Sequence, residues 1–351
     1  LPEPSHATHY EEGVDISHMR YYGTSGYFRN VYVNCDSVTC RVVSLSTTEA
    51  SGLRVIDLSM DVEVSPHCIV ATNMDLQTAD SRLFMDARLY YHGWDEMQDY
   101  LNTVRHDVTL KTGTEVNLRD AAYWAPELWG IDCKVAVQGH IHGTVSDMQA
   151  DGLIASFGES SEVFLDGSIQ GLPYIKTTRI DADVHRLHTN YDDLAAVRHP
   201  EGIKMLLPEI ISQMKVIDMD ASLHGRLSDC EAYFNINSLI GDLEGHAKLA
   251  YDSTEQDYTY VGDLDSRDLG IRPILPNEWV SRTGMHLSFQ GTGFDPETLE
   301  ASMEGRLYNT QFRGHNLSRT TLSAELAEQV LNVDLQLKDT LINLDATLSA
   351  D

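Results

Sequence analysis

Residues 134–147 alternate between apolar and polar side chains with a period of two. Odd positions carry Val135, Val137, Gly139, Ile141, Gly143 and Val145, and even positions carry Lys134, Gln138, His140, His142, Thr144 and Ser146, with Ala136 as the exception. Successive side chains of a β-strand point to opposite faces, so this pattern predicts a strand with one apolar and one polar face. We expect the valines and Ile141 to point into an interior, and His140 and His142 to face outward.

A second copy of this pattern lies farther along the chain. The run HGRLSD at 224–229 matches HGTVSD at 142–147 in residue type, at an offset of 225 − 143 = 82 residues. Here Met219, Leu223 and Leu227 are expected to share the interior of the first copy, while His224 and Arg226 face outward. A looser third copy at 287–295 contains Leu287 and Phe289. Such spacing indicates a long-period repeat whose unit is several strands.

Short strands and turns account for most of the remaining sequence. Turn residues at 23–26, 34–36, 51–52 and 65–66 divide the strands of 14–91, and Gly152, Gly158 and Gly167 are interpreted as further turns. Helical spacing or cap residues predict short helices near 94–106, 117–125 and 191–198, the second capped by Asp120 and ended by Pro126.

The fold class predicted from these patterns is all-β: an elongated, curled, gutter-like sheet with a few short helices. We expect three parts, namely a meander at 1–110 that ends in a short helix, a central β repeat at 111–200, and further β repeats at 201–351. A sheet cannot leave a continuous apolar face in water. The sheet therefore either folds on itself as a sealed sandwich or curls into a gutter whose lining is covered by something else.

The amino-acid composition argues against several classes of binding partner. The formal charge is −29, from 25 basic and 54 acidic residues, which argues against binding nucleic acid or lying on an anionic membrane surface. The sequence contains no apolar run that approaches the ~18–20 residues needed to span a bilayer. The chain starts with Leu1 and stops within an alternating run, so we interpret it as an interior piece of a longer protein.

The five cysteines are Cys35, Cys40, Cys68, Cys133 and Cys230. Their odd number and their spacing argue against a zinc ribbon or a thioredoxin-like site. Cys35 and Cys40 are close enough in sequence for a hairpin disulfide, although free thiols filling a strand face are the favoured interpretation.

Candidate catalytic chemistry is sparse. His140 and His142 share a strand face and could bind a metal together with His224 or Cys133, but solvated strand histidines are the simpler interpretation, so no metal site is predicted. The sequence contains no G-x-S-x-G elbow, no G-x-G-x-x-G fingerprint and no P-loop. We therefore expect a protein that is not an enzyme and that needs no cofactor.

Several weak motifs in a fixed order resemble the TamB family. They are LRDAAYWAPEL at 118–128, the strand at 135–145 with Gly139 and Gly143, and LDGSIQGLP at 165–173. LLP at 206–208, the strand around Gly225 and YVGDLDSRDLG at 260–270 are similar to the following repeats of that family. TamB proteins span the periplasm of Gram-negative bacteria within the translocation and assembly module, and are related to AsmA-like and bridge-like lipid-transfer proteins.

The resemblance implies a β-taco, a folded sheet with a hydrophobic groove that holds phospholipid acyl chains. It implies lipid transport between the inner and outer membranes and support of outer-membrane protein assembly with a TamA-like barrel partner, which would be contacted outside this fragment. The full-length protein would be periplasmic and anchored by an N-terminal helix. The candidate groove residues are Val135, Val137, Ile141, Val145, Met219, Leu223, Leu227, Leu287 and Phe289.

Two other functions fit the same pattern. One is a structural β-repeat protein with a closed core. The other is an adhesin or glycan-binding protein, which exposed aromatic residues on a polar face would favour; we interpret the aromatic residues as concentrated in the helical segments, which disfavours it. The aromatic residues of those segments could also gate the groove, although packing against the sheet is favoured: Trp94, Tyr100, Tyr123, Trp124 and Trp129.

Overall fold

The computed structural model confirms the all-β fold class, with about 70% of residues in strands and 9% in helices. It describes residues 13–14, 19–124, 128–172, 174, 177–197, 209–226, 228–254, 256–273, 279–294, 298–317, 319–327, 329–339 and 343–350. The chain divides into two units. Unit 1 contains the described residues of 1–173 and 192–207, and unit 2 those of 174–191 and 208–351. The three-part organisation stays a prediction.

Unit 1 is an antiparallel meander of ten strands. They are β1 (Tyr21–Val33), β2 (Val38–Glu49), β3 (Arg54–Val64), β4 (Cys68–Thr78), β5 (Arg82–Tyr90), β6 (Arg105–Leu110), β7 (Glu115–Asn117), β8 (Lys134–Thr144), β9 (Asp147–Phe157) and β10 (Ser161–Gln170). Each strand pairs with its neighbour in sequence, except that β6 and β7 lie one after the other between β5 and β8.

Unit 2 repeats this arrangement. Its strands are β11 (Arg179–Asn190), β12 (Val216–Arg226), β13 (Asp229–Ser238), β14 (Gly241–Asp252), β15 (Asp257–Gly270), β16 (Arg282–Thr292), β17 (Glu300–Tyr308), β18 (Thr310–Phe312), β19 (His315–Leu317), β20 (Thr320–Ala327), β21 (Val330–Lys338) and β22 (Asn343–Ala350). The short strands β18 and β19 form a separate ribbon, and β17 pairs directly with β20. Consecutive antiparallel pairing therefore builds both units.

The helices are shorter than predicted. A 3₁₀ turn at Trp94–Asp99 leads into α1 (Tyr100–Thr103), and β6 begins at Arg105, so the first helix ends earlier than residue 106. Helix α2 (Leu118–Ala121) is capped by the side chain of Asn117, which accepts a hydrogen bond from the backbone N–H of Arg119; the prediction of Asp120 as the cap is wrong. Pro126 lies outside the described residues. Helix α3 (Tyr191–Ala196) was predicted, and α4 (Glu209–Met214) was not.

Bulges keep apolar side chains on one face of unit 1, and four of them coincide with a positive φ angle. They lie at Gly23, Asn30, Asn73 and Gly152, whose φ angles of +62°, +51°, +51° and +57° suit glycine and asparagine. Each bulge inserts one residue and reverses the alternation downstream. In β9 this brings Met148 and Ala150, at even positions, onto the same face as Leu153 and Ala155. The prediction of turns at 23–26, Gly152 and Gly167 is wrong, because strands continue through all three.

The repeat found in sequence is a hairpin that occurs in both units. Strands β8 and β12 each end in a two-residue turn that leads into an antiparallel partner. Gly143 and Gly225 have positive φ angles of +113° and +127°, and a Cβ at either position would meet the carbonyl of Asp147 or Asp229. Only glycine fits at both positions. Val145 lies in the first turn and not on the strand, and the equivalent residue 227 lies outside the described residues.

Carboxylates from two short helices hold two hairpin turns of unit 1. Asp193 of α3 accepts hydrogen bonds from the backbone N–H groups of Glu159 and Ser160 and from the Ser161 hydroxyl, at 2.7–3.0 Å. Asp120 of α2 accepts bonds of 2.5 Å from both Thr78 and Ser81 at the turn between β4 and β5. The short helices therefore fix the ends of strands through charge-assisted bonds.

Glycines on the apolar face of unit 2 make room for aromatic rings on adjacent strands. A Cβ at Gly245 would overlap the ring of Phe234, and one at Gly262 would overlap the ring of Phe289. The paired residues lie directly opposite one another in the sheet. Because the paired glycine has no side chain, the aromatic ring can lie close to the sheet. The ring then covers the glycine backbone that would otherwise be exposed.

Replacing Asp193 with alanine should lower the free energy of unfolding by about 2–4 kcal/mol, because three donors lose this acceptor and one of them, the Ser161 hydroxyl, is buried. Urea unfolding followed by circular dichroism measures this change. Asp192→Ala is the matched control, since Asp192 is the exposed neighbour in the same helix. Equal effects of the two substitutions would contradict the assigned role.

The Gly245→Ala substitution should destabilise the chain by about 1–3 kcal/mol through overpacking against Phe234. In a Phe234→Leu background the same substitution should cost much less, because the ring is gone. A double-mutant cycle from thermal unfolding measures the coupling. Additive effects would show that the ring and the glycine do not constrain each other.

Candidate functional site

The apolar face of unit 1 is continuous across its strands. On β8, Val135, Val137 and Ile141 lie on the same face as Ala155 and Ala150 of β9, and the pairing carries this face into β10. These side chains are only partly buried. The opposite face carries His140 and His142, as predicted from the alternation.

An apolar cavity of about 440 Å³ opens on this face near the start of unit 1. It is lined by Val14, Met19, Tyr21, Thr24, Leu45, Thr47, Glu49, Leu53, Val55, Leu58, Met74, Leu76 and Trp124. Strands β1 to β4 supply the floor, while the exposed rings of Tyr21 and Trp124 lie at its margin (55% and 57% exposed). The volume falls within the range of roughly 300–1,000 Å³ that is usual for ligand pockets.

Glu49 is the one charged side chain in this lining. Its carboxylate accepts hydrogen bonds from the backbone N–H groups of Arg20 and Ser51, at 3.0 and 2.7 Å. Burial raises the pKa of Glu49, but the hydrogen bonds from Ser51, Arg20 and Ala50 outweigh this, and the pKa lies below its ordinary value. The charge is therefore held by backbone at the strand end, which leaves the rest of the cavity apolar.

In unit 2 one end of the apolar face is closed. Met214 of α4 packs with Ile217, Ile240, Leu269, Met285 and Leu287 in a buried cluster. Met219 and Ile236 pack against this cluster from the neighbouring strands. Helix α4 thus covers the strand ends and removes their side chains from solvent.

The last strands of unit 2 present the same face without such a cover. Leu331 on β21 and Leu344 and Leu348 on β22 are 40%, 48% and 68% exposed. Their pairing places them on the face that carries Leu322, which packs against the buried cluster. The apolar layer of unit 2 is therefore sealed near α4 and open at β22.

The predicted groove residues occupy different environments. Val135, Val137 and Ile141 are half-buried on β8, Val145 is in the following turn, and Met219 and Leu223 are half-buried on β12. Leu227 lies outside the described residues. Leu287 is 6% exposed inside the α4 cluster, whereas Phe289 is half-buried over Gly262.

Sequence reasoning missed most of the cavity. Its floor comes from strands whose alternation is interrupted by bulges, so Leu45, Val55 and Met74 do not follow one simple period. Among the lining residues, only Trp124 belongs to the aromatic residues that the sequence suggests could gate a groove. The other aromatic residues of the helical segments pack locally: Trp94 against Tyr91, Tyr100 against His106, and Tyr123 edge-on against Trp129.

Comparisons with protein-family models, curated proteins and solved structures found no match for this chain. Among the described residues, no helix has the length and apolar character required to cross a bilayer. All five cysteines are free thiols, and Cys35 is exposed.

Glu49→Gln should reduce stability at neutral pH by about 1–2 kcal/mol, because an amide cannot accept both backbone hydrogen bonds as a carboxylate does. The pKa of Glu49 is lowered on folding, so its contribution is present above the ordinary value of 4.5 and is lost as the pH falls through the folded value. The difference in unfolding free energy between wild type and variant should therefore shrink below pH 4.5. Chemical unfolding at a series of pH values measures it.

The control for this titration is Glu63→Gln on the exposed side of β3. It removes an exposed carboxylate and should change the free energy of unfolding at pH 7 by less than Glu49→Gln does. A wild-type-minus-variant difference for Glu49 that stays constant from pH 7 to pH 3 would contradict the assigned hydrogen bonding.

Proposed function

We propose that this chain binds phospholipid acyl chains on the apolar face of its sheet. The observation that carries the proposal is the cavity of unit 1, whose lining is apolar apart from Glu49 and two threonines. Since the carboxylate of Glu49 already accepts two backbone hydrogen bonds, the cavity suits a ligand without polar groups. The exposed leucines of β21 and β22 support the same reading.

The energetics of an acyl chain fit this surface. Burying each CH₂ group contributes roughly 0.8 kcal/mol, and the contribution does not depend on direction or on specific hydrogen bonds. A lipid can therefore move along an alternating strand face without passing a high barrier at each step. The excess of acidic residues keeps the outer face hydrated.

The cellular setting of the proposal comes from the resemblance to the TamB family. In that setting the chain is an interior, periplasmic segment that moves phospholipid between the inner and outer membranes. It supports outer-membrane protein assembly together with a TamA-like barrel partner. No catalytic group or cofactor is required, because the lipid changes place and not structure.

Glycan binding is the second candidate, and one observation favours it. Tyr22, Tyr27 and Tyr32 lie on the polar face of β1 and are exposed. Arg29 stacks over the ring of Tyr27 and donates a hydrogen bond to its hydroxyl. Aromatic residues are expected mostly in the helical segments, and β1 departs from this expectation. Exposed tyrosine rings can stack on sugar rings.

Photo-crosslinking from adjacent positions tests the lipid proposal. Leu45 lines the cavity, whereas Ser44 points to the other face and donates a hydrogen bond to Asp57. Benzoylphenylalanine at residue 45 should label phospholipid when the purified chain is mixed with phosphatidylethanolamine–phosphatidylglycerol vesicles. The same probe at residue 44 should not, and circular dichroism checks that both variants fold.

Equal labelling at both positions, or labelling at neither, would contradict lipid binding in this cavity. Labelling at residue 44 alone would favour the tyrosine side of the sheet as the binding surface. In that case a Tyr27→Ala variant and an array of bacterial glycans distinguish sugar binding from adventitious contact with vesicles.

A further inference from the structure

The polar face of unit 1 gathers two histidines and two aspartates from three neighbouring strands. His140 and His142 alternate on β8, so both imidazoles project from the same face, with ring centroids 5.2 Å apart. Asp151 of β9 lies directly opposite His140, and Asp107 of β6 lies directly opposite His142. We call these four residues the histidine–aspartate cluster.

Three of these side chains converge on one point. One ring nitrogen of each histidine and one carboxylate oxygen of Asp151 all lie within 4.8 Å of one another. The Asp151 Oδ2 atom is 2.9 Å from His142 Nε2 and 3.8 Å from His140 Nδ1. Ligand atoms around a tetrahedral zinc ion are separated by about 3.3 Å, given bonds of about 2.0–2.1 Å, so small side-chain rotations suffice.

The remaining aspartate orients one of the histidines. His140 Nε2 is 3.1 Å from Asp107 Oδ1, which leaves Nδ1 of the same ring directed toward Asp151. An outer carboxylate that accepts the distal N–H of a ligating imidazole is a common feature of metal sites, because it fixes the tautomer and raises ligand basicity. Both ring nitrogens of His140 thus face carboxylates, an arrangement that a cation between His140, His142 and Asp151 would stabilise.

This cluster contains more potential metal ligands than the histidine–carboxylate contacts described in unit 2. In unit 2, His188 contacts Asp218, His224 contacts Asp181, and His286 contacts Asp265. Each of these contacts brings together one imidazole and one carboxylate. Among the residues that the structure describes, only His140, His142 and Asp151 bring three such groups within ligand distance of one another.

We propose that His140, His142 and Asp151 bind a divalent transition-metal ion on the polar face, with zinc the ion that best suits two imidazoles and a carboxylate. A water molecule completes the tetrahedron, since the two imidazoles are 30–39% exposed and solvent reaches them. Because Asp151 precedes the bulge at Gly152, the ion ties β8 to the irregular part of β9. This site lies on the face opposite the apolar surface, so it does not depend on lipid binding.

Calorimetric titration of the full chain with zinc chloride tests the site. The protein is first stripped with EDTA, and its thiols are alkylated because Cys35 is exposed and could bind metal. We expect one zinc ion per wild-type chain. His140→Asn and His142→Asn should abolish stoichiometric binding, and Asp107→Asn should weaken it by about tenfold.

The matched control is His224→Asn, which alters the equivalent histidine of the second hairpin. This variant should bind zinc as the wild type does. Cobalt chloride should give a visible absorption band in the wild type and in the His224 variant, and no band in the His142 variant. Absence of stoichiometric binding in the wild type overturns the proposal. So does an equal loss of affinity in the His142 and His224 variants, which would indicate general binding to surface histidines.

Discussion

The structure depends on one constraint: apolar side chains must stay on the same face from strand to strand. A register error of a single residue would move every apolar side chain of a strand into water. The alternation alone satisfies this constraint in β12 and β13, which pair without interruption. Unit 1 needs inserted residues as well, and four of its bulges lie at glycine or asparagine residues with a positive φ angle.

The ends of the continuous apolar face are stabilised differently in the two units. In unit 2, α4 covers one end and produces the buried cluster around Met285 and Leu287. In unit 1, Asp120 and Asp193 hold strand ends through hydrogen bonds, and the apolar surface over β1 to β4 remains accessible as a cavity. In unit 2 a helix packs over the apolar face and fills the space there. In unit 1 the turns are held by hydrogen bonds, so the apolar face keeps space for a ligand.

Much of the fold could be predicted from the sequence, because a period of two is a direct property of strands. The similarity between the hairpins at 142–147 and 224–229 could be recognised from the sequence for the same reason. Helix α4 was not predicted, although Ile211 and Met214 pack against the strands. The cavity and the histidine–aspartate cluster could not be predicted, since Asp107 and Asp151 reach the histidines only through strand pairing.

Pairing between sequence neighbours also governs how each unit folds. Contacts that are local along the chain need little loop closure, so hairpins can form early and recruit the next strand. The stability of such an array is approximately a sum of nearest-neighbour interfaces. In unit 2 the leucines at the interface between β21 and β22 are exposed, while the apolar side chains of the strands beneath α4 are buried. Unfolding of unit 2 is therefore graded, opening at β22 long before the strands under α4 separate.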